Sequence, residues 1–141
     1  MKILVINGPN LNLLGLREPE IYGTRTLDSI AEEVGDTFPH VQFLWLQSNH
    51  EGDIVDYLQE AAYGKEPVDG VILNAGGYSH TSIAIRDAIA AIPVPVIEVH
   101  LSNIAAREDF RHASLLTAVC SGTIQGFGPK VYLLAARSLC E

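Results

Sequence analysis

Two pairs of residues in this sequence have the types and spacing for acid–base chemistry. The first is Glu98-Val99-His100. On a strand, residues two apart share a face, so a carboxylate and an imidazole stand side by side. Such a carboxylate orients the ring and raises its basicity, as a general acid or base requires. A buried, mutually satisfied pair is the competing reading. The second is Arg17 with Tyr22, inside NGPNLNLLGLREPEIYG. A phenol titrates near pH 10 and serves as a base at neutral pH only when its anion is stabilised. A guanidinium does that without losing its own proton. The alternative is a solvated arginine and a packed tyrosine.

Anion binding has its own candidates. Asn74-Ala75-Gly76-Gly77 suits either a turn needing positive φ or a backbone cradle for an anion. His80 reads equally as a solvated cap neighbour or a ligand contact. Arg107 and Arg111 follow closely behind His100, Ser102 and Asn103. No G-x-G-x-x-G, G-x-x-x-x-G-K-[ST] or G-x-S-x-G motif occurs, and no His/Asp/Glu triplet has recognisable metal spacing. Neither Cys120 nor Cys140 sits beside a candidate base, which disfavours covalent acyl transfer.

The elements that must position these residues alternate in kind. Strand-like runs fall at Lys2–Ile6, Val41–Leu46, Val68–Leu73 and Val94–Val99, with a weaker one at Thr123–Gly126. Helical patterns lie between them: Thr26 to Phe38 with Thr26 as N-cap, Glu51 to Tyr63, a third on Ile85, Ala88, Ile89 and Ile92, and Pro129 to Leu139. The alternation predicts an α/β, flavodoxin-like three-layer fold with a five-stranded parallel sheet. The near-continuous aliphatic strands fit burial on both faces. In such a sheet, ligands bind beyond the carboxyl ends of the strands. Those ends carry Asn7, Asn10, Gln47 to Glu51, Asn74 to His80 and Glu98 to Asn103, whereas Lys2, Lys65, Glu66 and Pro67 fall at the other end. The long connection from Asn7 to Gly23 is too apolar for a solvated linker. Its leucines must partly pack, and its glycines and prolines give turns and hinges.

Composition bounds the rest. The 141 residues suit a single domain, with 48% apolar and 18% charged residues. A net charge of −8 without a basic run argues against nucleic acid. Two cysteines without a framework fit a cytoplasmic protein. No run approaches the roughly 20 apolar residues of a membrane span, and MKILVING lacks a signal-peptide pattern.

Taken together, ILVINGPNLNLLGLREPEIYG, QSNHEGDIVD, NAGGYSHTSIAIRDAI, EVHLSN, RE-x-FRH-x-S and GTIQGFG resemble the type II 3-dehydroquinate dehydratases almost end to end. Ala75 and the Pro129-Lys130-Val131-Tyr132 stretch depart from the family's common Pro and Gly-Tyr. The resemblance implies anti elimination of water from 3-dehydroquinate through an enolate, giving 3-dehydroshikimate in the shikimate pathway, without metal or organic cofactor. It implies that Tyr22 removes a C2 proton, Arg17 keeps the phenolate available, and Asn10 stabilises the enolate oxygen through a water. On the same resemblance His100, oriented by Glu98, would protonate the departing C1 hydroxyl. Asn74 and the backbone of Leu101 and Ser102 would hold the carboxylate, and His80 and Arg111 would bind ring hydroxyls. Asp87 would reach in from a neighbouring subunit of a dodecamer built from four trimers, although an adjacent Arg86-Asp87 pair off the apolar stripe would ordinarily be solvated. Two other classes compete. One is a mononucleotide-binding module on the glycine loop. The other is a signalling receiver domain, which Asn7 in place of an acidic cluster disfavours.

Overall fold

The computed structural model describes the backbone of all 141 residues and every side chain except that of Tyr22. Five strands, β1 (Lys2–Asn7), β2 (Gln42–Gln47), β3 (Gly70–Asn74), β4 (Val96–His100) and β5 (Gly122–Gln125), form one parallel sheet in the order β2-β1-β3-β4-β5. This is the flavodoxin-like order expected from the sequence. Alternate residues of β1 feed two cores. Ile3 and Val5 pack with Ile30 and Val34 of α2 (Leu27–Thr37) and with Val131, Tyr132 and Ala135 of α5 (Lys130–Cys140). Leu4 and Ile6 pack with Ile54 and Leu58 of α3 (Glu51–Tyr63) and with Ile85, Ala88 and Ile89 of α4 (Ile83–Ala90). No described residue of the short helix α1 (Pro19–Tyr22) belongs to either core.

Local chemistry explains the boundaries. Thr26 caps α2, its hydroxyl accepting from the Ser29 amide at 3.1 Å. Ser82 caps α4 in the same way, accepting from Ile85 at 2.9 Å. Strand β4 starts at Val96, two residues later than its apolar run suggests, after Pro95 with no N–H to donate. Strand β3 likewise starts at Gly70, because the Val68 amide turns back to Ala61.

One strand departs from expectation. β2 is an edge strand buried on one face only. Phe43 and Trp45 cover the α2/α5 core, while Leu44 and Leu46 on the other face stay 37% and 36% exposed. An aliphatic run therefore did not mean two-sided burial here. The Asn7–Gly23 connection is also more ordered than a loop. It contains a 3₁₀ turn at Leu11–Leu13 and α1; Leu11 and Leu14 are buried, and Leu16 is 82% exposed.

Register places polar residues together at the carboxyl edge. Asn7 is paired with Gln47 on one side and Asn74 on the other, and His100 with Gln125. At the opposite edge, Lys2 Nζ meets Glu66 at 2.9 Å. Among the described residues, no helix is long and apolar enough to cross a membrane.

Candidate active site

Beyond the ends of β1, β3 and β4 lies a cavity with about 670 Å³ of open space, counting its mouth. Its walls include Asn10, Arg17, Asn74, His80, His100, Leu101, Ser102, Arg107 and Arg111. The floor depends on two glycines. A Cβ on Gly8 would lie 2.5 Å from the Ala75 carbonyl oxygen, so only glycine lets the segments after β1 and β3 cross this closely. Gly76 sits at φ +60°, and a Cβ there would press on Pro9. The crossing is tied by the Gly8 amide donating to Asn74 O at 2.7 Å.

At the β4 wall, Glu98 and His100 form the pair expected from their spacing, with His100 Nε2 2.7 Å from Glu98 Oε2. Glu98 is fully buried. Ser114 and Thr117 also donate their hydroxyls to its carboxylate. Burial alone would raise its pKa. The hydrogen bonds from His100, Ser114 and Thr117, aided by the His100 charge, outweigh burial and hold it below the usual carboxylate value. Burial first, then this nearby negative charge, pushes the Cys120 thiol up to about 12, keeping it an inert thiol. An ionised Glu98 accepts the Nε2 proton of His100 and leaves Nδ1 as the ring's remaining acid–base position.

His80 joins this wall, its ring stacked 6.2 Å from that of His100 at 24°. Its Nδ1 lies 2.9 Å from the Ala113 carbonyl, which only accepts, so Nδ1 carries the proton and Nε2 is the open position. Arg111 lies 3.1 Å and Arg107 3.4 Å from Glu108, and Arg107 also donates to Ser102 Oγ at 3.2 Å. Asn10 holds a left-handed backbone at φ 70°, its amide donating to Asn49 Oδ1 at 3.0 Å. Arg17 reaches the cavity with Nη2 3.5 Å from Glu18.

The sequence candidates thus converge, with two exceptions. Tyr22 ends α1, and its side chain lies outside the described residues. Asp87 does not line its own chain's cavity; it is 69% exposed on α4, 3.9 Å from Arg86. Sequence reasoning placed Arg107 and Asn49 near the site but gave them no role, and it missed Ser114, Thr117 and Tyr132 as supports. Ser114, within RE-x-FRH-x-S, and Tyr132, within Pro129-Lys130-Val131-Tyr132, stood in stretches already singled out, whereas Thr117 did not. Among the described residues, no group of three His, Cys, Asp or Glu is arranged to hold a metal ion.

A carboxylate-oriented imidazole and converging arginines, set at the switch point of a flavodoxin-like sheet, define an acid–base enzyme for a small anionic molecule. Comparison with known proteins makes this specific. Residues 1–140 match the family model described as dehydroquinase class II. A 3-dehydroquinate dehydratase of Exiguobacterium is 57% identical over 142 residues, covering 100% of this chain and 95% of that protein. One of Fusobacterium nucleatum is 53% identical, covering 100% and 97%. The crystal structure of type II dehydroquinase from Butyrivibrio crossotus superposes with a TM-score of 0.95 at 45% identity, covering 100% of this chain and 98% of that one. The chain belongs to the class II dehydroquinase family.

Proposed function

We propose that this chain is a single-domain hydro-lyase that converts 3-dehydroquinate to 3-dehydroshikimate and water, as a step toward aromatic amino acids. The observation that carries the reading is the Glu98–His100 pair at a cavity wall in an otherwise acidic protein, facing Arg17, Arg107 and Arg111. The cations draw an anionic substrate into the cavity, and expelling a hydroxyl needs the acid.

The Tyr22 phenolate takes a proton from C2, and the C–H electron pair moves into the ring ketone as an enolate. Arg17 favours the phenolate over the phenol. Asn10 steadies the enolate oxygen through a water, a device aimed at charge that develops during reaction. Collapse of the enolate forms the C1–C2 double bond and expels the C1 hydroxyl, which receives the Nδ1 proton of His100 and leaves as water. Glu98 accepts the Nε2 proton of His100 and so fixes the ring with Nδ1 toward its task. Asn74 with the Leu101 and Ser102 backbone holds the carboxylate, and His80 and Arg111 take ring hydroxyls. His80 Nε2 has the acceptor character that a hydroxyl proton requires.

The protein works in the cytoplasm as a dodecamer of four trimers, with Asp87 of one subunit beside its neighbour's cavity. Support for a contact there comes from α4, where Ile83 is a large apolar residue 65% exposed one turn from Asp87. Adding 3-dehydroquinate and following the conjugated enone absorbance tests the activity. No absorbance at any enzyme concentration would refute it.

A further inference from the structure

Tyr132 is the largest buried side chain that the chemistry above leaves unused, and its hydroxyl stands behind the cavity. It projects from α5, is 0% exposed, and stacks at a tilt on Trp45 with ring centroids 5.4 Å apart. The hydroxyl lies 3.0 Å from Asn74 Nδ2 and 2.6 Å from Asn7 Oδ1. Asn7 and Asn74 are register partners at the ends of adjacent strands, so one phenol bridges two strand ends.

The direction of every bond in this chain follows from one backbone group. The Gly76 amide can only donate, and it lies 3.3 Å from Asn74 Oδ1. That fixes the carbonyl of the Asn74 carboxamide toward Gly76 and its NH₂ toward Tyr132. The phenol oxygen therefore accepts from Asn74, and its single proton goes to Asn7 Oδ1. One N–H of Asn74 is left for the cavity that Asn74 lines. A rotated amide would turn its carbonyl oxygen to that same place and repel an anion.

We propose that Tyr132 is a positioning residue that locks the Asn74 carboxamide with an N–H toward the cavity, selecting an anionic oxygen there. This rests on the reading above that Asn74 holds the substrate carboxylate. Without the phenol, the amide keeps only the longer contact to Gly76 and loses its second anchor.

The test compares two unreactive competitors: 3-dehydroquinate reduced at its ketone, and the same polyol with hydroxymethyl in place of the carboxylate. A hydrogen bond to a charged group is worth about tenfold or more in affinity. Tyr132→Phe should weaken the carboxylate competitor about tenfold and raise KM about tenfold. The hydroxymethyl competitor and kcat should move less than about threefold. Equal weakening of both competitors, or no weakening, would overturn the lock and leave Tyr132 a core residue. Asn7→Leu keeps the phenol but removes its acceptor, and covers the case in which Tyr132→Phe does not fold. It should show the same selective loss, about threefold, and unchanged selectivity would again overturn the lock. Asn74→Ala separates the two claims. If it binds the carboxylate competitor as well as wild type, the carboxylate assignment itself fails. If it binds weakly while Tyr132→Phe does not, only the lock fails.

Discussion

The two walls of the cavity are built in opposite ways. The β4 wall is rigid: Glu98 and His100 are buried on a central strand, and three donors converge on one carboxylate. The wall carrying Arg17 belongs to the Asn7–Gly23 segment, where Asn10 and Glu18 hold left-handed backbone and Leu16 is solvent-facing; Tyr22, the proposed base, ends α1 of the same segment. An elimination needs an acid at the leaving group throughout, yet its base must reach a proton that arrives with the substrate. On the proposed mechanism, a preformed acid on β4 and a base on the separate Asn7–Gly23 segment divide those demands.

The largest effects should separate the walls by activity against stability. Tyr22→Phe removes only the hydroxyl of the proposed base. Turnover should fall about 100- to 10,000-fold with the unfolding midpoint unchanged. A folded variant with near-normal kcat would remove Tyr22 from the mechanism. Arg17→Ala should also be severe, with the acid-side limb of the pH–rate profile, which follows ionisation of the base, moving to higher pH; an unshifted limb would leave Arg17 a purely positioning group.

Glu98→Ala on the rigid wall should cost both. It strands His100, Ser114 and Thr117 around an empty site, so stability should drop by about 3–5 kcal/mol, as denaturant titration would measure. The sign of the pH dependence follows from the direction of the shift. Folding lowers the Glu98 pKa from 4.5, so its ionised form stabilises the fold above that value, and the benefit disappears as pH falls through the lowered folded value. The gap between wild type and Glu98→Gln should narrow in that acid range. A gap that widens there would contradict an ionised Glu98.

Asp87→Ala should weaken assembly or substrate binding by about 2–5 kcal/mol if a neighbour buries this carboxylate. Wild-type sedimentation, KM and kcat together would return it to the solvated face. The smallest effect belongs to Lys130. It is exposed at the start of α5 and outside the cavity lining, so borohydride with substrate should add no mass. A lysine adduct would replace the enolate route with imine chemistry.

The sheet and the β4 wall were legible because periodicity and spacing encode them directly: Glu98 and His100 share a face on any strand. Leu44 and Leu46 misled because whether a strand is central or at an edge is a matter of topology, not of local composition. Tyr132 and Thr117 were invisible as site supports because they come from distant chain segments, 58 residues from Asn74 and 19 from Glu98. Nothing local distinguishes a core tyrosine that bridges two asparagines from one that merely packs.

The division of labour is tested most directly by the fate of the C2 proton in His100→Ala. With 3-dehydroquinate deuterated at C2, that variant should exchange deuterium for solvent hydrogen while forming little product, because the proposed base Tyr22 is intact to make the enolate and no acid expels the hydroxyl. Tyr22→Phe should do neither. Product formation by His100→Ala at the wild-type rate, or loss of exchange together with elimination in a variant that still binds substrate, would contradict the account.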